Sequence, residues 1–172
     1  MQGNLSFRLM SLAFRLRDRL RPPALLLQEA GVRPGMTLLD FGCGPGSFAV
    51  AAAELVGPEG RVYALDINPL ALQSVERGAA RRGLRNLHPL SADELAAVQD
   101  GTVDLVLLYD VLHDLPDPAP VLAELRRVLK PDGSLSVNDH HLKGEELPRR
   151  VTAGGLFRMA EHGRWSHRFQ PV

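Results

Sequence analysis

The chain has 172 residues, 45% of them apolar and 23% charged, with 20 basic against 20 acidic side chains. This is an ordinary globular composition, long enough for one domain with a full core, and a net charge of zero excludes a global pull toward nucleic acid or an anionic membrane. The single cysteine, Cys43, excludes an internal disulfide, and no stretch approaches the ~20 apolar residues that span a bilayer.

Residues 5–20 have helical periodicity: Arg8, Arg15 and Arg19 fall on one face, and Leu9, Ala13, Leu16 and Leu20 on another. Within this stretch and just beyond it, five arginines (Arg8, Arg15, Arg17, Arg19 and Arg21) stand against one acid, Asp18. The segment 1–33 is expected to form a helical lid, with Phe7, Met10 and Phe14 turned toward a cavity or the core and the arginines in water. Its apolar runs are too broken for a secretion signal, so a cytoplasmic location is the expectation. Pro22 and Pro23 interrupt the pattern. A second helix is expected over Pro23–Ala30, ended by Gly31, with a turn at Pro34-Gly35.

From Thr37 the rhythm changes, and 36–172 is expected to form the α/β core of a single domain. Apolar runs alternate with helical stretches: TLLDF, then SFAVAAAELV; RVYALD, then PLALQSVERGAARRG; NLHPL, then ADELAAVQ; VDLVLLYD, then PAPVLAELRRVLK; and finally SLSVND. The strand runs are continuous rather than alternating, as in a parallel sheet buried on both faces. After a short helix in EELPRRVTAG, the runs LFRMAEHG and WSHRFQPV stand too close in sequence to pair other than as a hairpin, in which Trp165 is expected to pack. The expected fold is a doubly wound, Rossmann-like, mostly parallel sheet of seven strands with a C-terminal antiparallel hairpin.

In such a sheet ligands bind beyond the carboxyl ends of the strands. The strands deliver Asp40 and the loop FGCGPGSF, then Asp66, Asp93, Tyr109 with Asp110 and His113, and Asn138 with Asp139, His140 and His141. A dinucleotide loop reads G-x-G-x-x-G/A and puts pyrophosphate on a helix N-terminus. Here Gly42, Gly44 and Gly46 form G-x-G-x-G, Asp40 precedes them, and the loop holds no lysine or arginine. A ligand with cationic groups and donor hydroxyls suits these acids better than a diphosphate, and S-adenosylmethionine has both. Asp66 lies 24 residues after Gly42, where the ribose-binding acid of a nucleotide fold is expected.

The blocks LLDFGCGPGSF, VYALDINP, LSADEL, VDLVLLYDVLHDLPDP and LRRVLKPDGSL together resemble the successive motifs of class I S-adenosylmethionine-dependent methyltransferases. More narrowly they resemble the small-molecule enzymes related to ubiquinone and menaquinone biosynthesis. The resemblance implies these roles: Gly42, Gly44 and Gly46 let backbone approach the methionine part; Asp40 contacts its ammonium; Asp66 takes the ribose hydroxyls and Ile67 packs on the adenine. It also implies that Asp93 and the Ala92 amide serve the adenine, and that Tyr109 lines the methionine end. Asp114 in HDLP departs from relatives that often have histidine there, which weakens any borrowed acceptor assignment.

Simpler readings stand beside these. Cys43 reads as a buried filler rather than a nucleophile. Asp93 could cap the helix after it, and Asp66 could close an Asx turn before Asn68-Pro69. His113 and His140 are the candidate catalytic residues, since imidazole suits proton removal near neutral pH; each could instead order a loop, His113 by capping the turn to Pro116. No metal is expected, because His140 and His141, if extended, point to opposite faces.

The predicted activity is methyl transfer from S-adenosylmethionine to a small molecule with an O, S or activated C nucleophile. No Asx-Pro-Pro-aromatic stretch follows the fourth strand, no Pro-Cys nucleophile is present, and no nucleic acid partner is expected. Two alternatives share the fold: a non-catalytic S-adenosylmethionine-binding protein and a nicotinamide-dependent oxidoreductase. The sequence carries no signal for oligomeric state.

Overall fold

Seven strands form one sheet in the order β3-β2-β1-β4-β5-β7-β6 in the computed structural model, which describes residues 22–172. The strands are β1 (Thr37–Phe41), β2 (Arg61–Asp66), β3 (Leu87–Ser91), β4 (Val103–Tyr109), β5 (Leu129–Asn138), β6 (Phe157–His162) and β7 (His167–Pro171). The first five are parallel; β7 runs antiparallel to β5, and β6 pairs antiparallel with β7. The expected C-terminal hairpin is present. The lid helix expected over 5–20, with Phe7, Met10 and Phe14, lies outside the described residues.

The helices are α1 (Pro23–Glu29), α2 (Ser47–Val56), α3 (Pro69–Arg82), α4 (Ala119–Val128) and α5 (Glu146–Thr152). Successive strand residues feed opposite faces of the sheet. Leu38, Leu105, Leu107 and Tyr109 join one core with residues of α1, α2 and α3, among them Leu27, Ala53 and Val75. Leu39, Val106 and Leu108 join a second core with Leu122 and Leu125 of α4 and Leu147 of α5. Burial on both faces explains why the strand runs do not alternate, and truncating a fully buried residue such as Leu107 to alanine costs about 2–5 kcal/mol.

Three local outcomes differ from the pattern reading. The segment after β3, Ala92–Ala97, is a 3-10 helix. Its N-cap is Ser91, in a capping box with Glu94, so Asp93 is not the cap. Strand β5 starts at Leu129 rather than Ser134, because Lys130–Gly133 remains within it as an irregularity: Val103 faces Leu129, and the next register pair is Leu105 with Ser134. Pro89 is tolerated inside β3 because that strand is an edge.

The order reverses between β1 and β4. The chain steps outward from β1 to β2 and β3, then returns to β4 on the other side. A crevice therefore opens at the carboxyl ends of β1 and β4.

Candidate active site

The loop after β1 turns on three left-handed residues, Gly42 (φ 77°), Gly44 (φ 51°) and Gly46 (φ 92°). Close packing also demands glycine at two of them. A Cβ on Gly42 would stand 2.4 Å from Val111 Cγ2, and one on Gly46 2.7 Å from Val75 Cγ2 in α3.

The amides of this loop point into the protein. Gly42 and Cys43 both donate to the Leu65 carbonyl, at 2.8 and 2.9 Å. Gly44 donates to Asp66 Oδ2 at 2.8 Å, and Gly46 to the Cys43 carbonyl at 3.0 Å. A phosphate cradle needs a row of free N–H groups, and these four are engaged. Asp40, 3% exposed, stands near enough to the loop for its charge to act on Cys43. The carbonyl of Pro45 accepts from Ser74 Oγ at 3.0 Å, which fixes the loop against α3.

Asp66 ends β2 and holds two segments. Oδ2 takes the Gly44 amide, and Oδ1 takes the Asn68 amide at 2.8 Å, so the Asx turn is real and coexists with the loop contact. A carboxylate oxygen has two lone-pair sites, so each retains an acceptor position for a hydroxyl. Asn68 then caps α3, accepting from the Leu70 amide, with Pro69 at the first turn. Between them, Ile67 is 86% exposed, an apolar side chain offered to solvent beside the acid. Ala92 and Asp93 are exposed at the end of β3. A hydrogen bond from Ser91 and its own backbone amide hold the Asp93 carboxyl below its ordinary range.

Tyr109 is buried. Its hydroxyl is 2.8 Å from Ser136 Oγ, and its ring meets Phe48 edge-on with centroids 4.9 Å apart. Burial pushes the phenol's pKa up, so it serves this edge as a neutral, rigid wall. Cys43 is buried too; burial first, then the charges of Asp40 and Asp66, push its thiol up and keep it protonated.

At the ends of β4 and β5 three imidazoles stack. His113 and His141 have centroids 4.0 Å apart, and His141 and His140 3.9 Å. The expectation that His140 and His141 point to opposite faces fails because they lie in a turn, not an extended segment. Asp139 makes that turn, accepting the His141 amide at 3.1 Å. It also accepts from the His113 amide at 2.9 Å and lies 3.0 Å from His113 Nδ1. Burial raises the Asp139 carboxyl, but the His113 side chain, its amide and the His141 amide outweigh it and leave the group below its ordinary range. His113 is therefore anchored to the end of β5 rather than capping the turn toward Pro116. Among the described residues no group of three or more His, Cys, Asp or Glu is arranged to hold a metal ion.

Asp110, the residue after β4, has φ 54°, a left-handed conformation rare outside glycine and asparagine or aspartate. Its amide donates to Asn138 O at 2.8 Å, and its Oδ1 lies 2.6 Å from His140 Nδ1. Beyond Asp139 a cavity of about 280 Å³ opens, lined by Leu142, Leu147, His162, Trp165 and His167. A larger one, about 430 Å³, lies at the opposite sheet edge beside Thr37 and Arg61, which begin β1 and β2, away from the glycine loop.

Glu29 of α1 was not legible as a site residue. It accepts the amides of Arg164 (3.2 Å), Trp165 (2.8 Å) and Ser166 (2.7 Å), clasping the β6–β7 turn that borders the smaller cavity. No local motif announces a contact formed 136 residues away along the chain.

A family model described as a methyltransferase domain matches residues 33–170. The chain belongs to the class I S-adenosylmethionine-dependent methyltransferase family. The methyltransferase domain is 35% identical over 109 residues to demethylmenaquinone methyltransferase of Geobacillus stearothermophilus, covering 63% of this chain and 47% of that protein. It is 36% identical over 113 residues to nocamycin O-methyltransferase of Saccharothrix syringae, covering 65% and 40%. It thus spans less than half the length of these curated relatives. Among solved structures, a SAM-dependent methyltransferase from Aquifex aeolicus superposes with a TM-score of 0.79 at 27% identity, covering 91% of this chain and 93% of that one. No described helix of the methyltransferase domain is long and apolar enough to cross a membrane.

Proposed function

We propose that this protein transfers the methyl group of S-adenosylmethionine to a small-molecule acceptor at the edge formed by β1, β2 and β4. The carrying observation is the inward direction of the glycine-loop amides beside two carboxylates, Asp40 and Asp66. A diphosphate would meet acids and find those amides engaged; a sulfonium with an ammonium and a ribose diol would meet complementary charge and acceptors. This disfavours the nicotinamide alternative.

The residues fit that cofactor. Asp66 would accept from the ribose hydroxyls while keeping Gly44 in place. Ile67 would cover the adenine, and Asp93 with the Ala92 amide would read its edge. Asp40 would balance the ammonium, and Gly42, Gly44 and Gly46 leave no Cβ between backbone and the methionine chain. Bound S-adenosylmethionine supplies a methyl group on a sulfonium, already activated for in-line displacement. The protein's task is then to orient an acceptor and exclude water. The cavity beyond Asp139 combines Leu142, Leu147 and Trp165 with the polar side chains of Asn138, His162 and His167, a lining suited to an organic acceptor that carries hydrogen-bonding groups.

Calorimetry tests the reading: S-adenosylhomocysteine should bind and NADH should not. Heat with NADH and none with S-adenosylhomocysteine would overturn it.

A further inference from the structure

Two imidazoles sit on carboxylates at the acceptor side, and they are not equivalent. His113 has acids at both nitrogens: Nδ1 is 3.0 Å from Asp139 Oδ2 and Nε2 is 3.4 Å from Asp114 Oδ1. Its side chain is 22% exposed and its ring is covered by His141. His140 has Nδ1 2.6 Å from Asp110 Oδ1, a side chain 67% exposed, and no hydrogen-bond partner for Nε2 among the described residues. The His140 amide also approaches Asp110 Oδ1, at 3.3 Å, so one carboxylate oxygen fixes both backbone and ring.

A carboxylate on Nδ1 sets the tautomer that leaves the Nε2 lone pair outward, and it stabilises the imidazolium formed when that lone pair takes a proton. The dyad also stands next to the glycine loop. Gly42 packs on Val111, the residue after Asp110, so closely that a Cβ would lie 2.4 Å from Val111 Cγ2. Asp110 adopts its left-handed conformation at this point, and aspartate is placed there although glycine would carry no strain.

We propose that His140, oriented by Asp110, is the general base of the methyl transfer, and that the acceptor is an acidic O–H compound, a phenol or an enol. This rests on the methyltransferase reading above. His113 on this view is a positioning residue that fixes the end of β5 through Asp139. The chemistry of the edge favours the hydroxyl class. A phenol is largely protonated near neutral pH and gains from a base, whereas a thiol is already partly ionised there. An amine beside Asp110, Asp114 and Asp139 would be held as its ammonium, which is no nucleophile.

In the step, the acceptor O–H bond breaks and its proton passes to His140 Nε2. On the oxygen route the electron pair left on oxygen forms the new bond to methyl; on the carbon route that pair becomes the C=O π bond while the conjugated C=C pair bonds methyl, and on both routes the S–CH3 pair stays on sulfur. On the carbon route the hydrogen on the methylated carbon then leaves as a proton to water, its C–H pair restoring the C=C bond as the C=O π pair returns to oxygen. Among the described residues, the charged and titratable groups around the new imidazolium are Asp110 at the end of β4, His141 in the same turn, Asp139 at the end of β5, and His113 with Asp114 in the 3-10 turn Leu112–Asp114.

Two measurements on the full chain test this. In ¹⁵N NMR, with His140 assigned from the His140→Gln variant, the ring should carry its proton on Nδ1; a proton on Nε2 would overturn the proposal without reference to activity. In turnover, the chain with S-adenosylmethionine is offered 1,4-naphthohydroquinone, catechol, thiophenol and benzylamine. We expect methylation of a phenolic probe. His140→Gln should lower kcat by about 100-fold or more and abolish the acid limb of the pH–rate profile, with S-adenosylhomocysteine affinity within about twofold of wild type. Asp110→Asn, which tolerates the same backbone conformation, should lower kcat and change the His140 tautomer seen in the ¹⁵N spectra, with S-adenosylhomocysteine affinity unchanged. Turnover of only the thiol or amine, no turnover of either phenol by a chain that binds S-adenosylhomocysteine, or a His140→Gln variant with wild-type kcat would each overturn the proposal and leave the methyltransferase reading standing. A chain that does not bind S-adenosylhomocysteine would remove both.

Discussion

The Asp66 carboxylate holds the Gly44 amide at 2.8 Å, joining the end of β2 to the middle of the glycine loop that follows β1. The residue expected to read the ribose is thus also the one that shapes the loop beside it. Asp66→Ala should therefore weaken S-adenosylhomocysteine binding by about 1.5–3 kcal/mol, the range for hydrogen bonds to a charged group, and also lower Tm. Calorimetry and thermal melts separate the two effects. Affinity equal to wild type would remove Asp66 from the ligand.

Gly42 is constrained twice, by φ 77° and by Val111. Gly42→Ala should cost about 2–4 kcal/mol, combining left-handed strain with overpacking. Compared with Val111→Ala alone, adding Gly42→Ala should cost only the strain, about 1–2 kcal/mol. Urea unfolding of the four-member cycle measures the coupling; simple additivity would mean the side chain of Val111 is not what excludes a Cβ.

Burial raises the Glu29 carboxyl, but the amides of Trp165, Ser166 and Arg164 and the Ser166 hydroxyl outweigh it, so the group sits below its ordinary value of about 4.5. A depressed carboxylate contributes stability that is present above the unfolded value and lost as pH falls through the folded one. Glu29→Gln should thus destabilise the chain at neutral pH by about 1–3 kcal/mol, with the gap to wild type closing as pH falls below about 4.5. Melts across pH check this, and a gap independent of pH would show that the clasp does not depend on charge.

Cys43 should be silent in the folded state. It is buried and its thiol is pushed up by its surroundings, so a dipyridyl disulfide probe should react at least about 100-fold more slowly than with the urea-unfolded chain. Fast modification of native protein would show that the loop opens.

Most of the sheet was legible because a strand buried on both faces needs an uninterrupted apolar run, and the helices between such runs need a different period. TLLDF, SFAVAAAELV and RVYALD fall on β1, α2 and β2 residue for residue. The glycine loop was legible for a similar reason: left-handed backbone and close approach admit few other residues. Asp66 and Asp110 could be placed at strand ends by counting. The capping box is also written in the sequence, as S-x-x-E over Ser91–Glu94.

Partners that meet only through folding carry no local pattern. Nothing in NDHH distinguishes an extended strand end from a turn, and only the approach of β4 to β5 pairs His140 with Asp110 and His113 with Asp139. Glu29 looks like any helix-end acid until the β6–β7 turn arrives to give it three amides. The sequence by itself determined the strands, their order of appearance and the acid-lined, side-chain-free bend, because backbone sterics and solvent exclusion act residue by residue. Which imidazole faces outward and which is locked inward was decided only by tertiary structure, because a hydrogen bond between distant segments depends on where the sheet brings them.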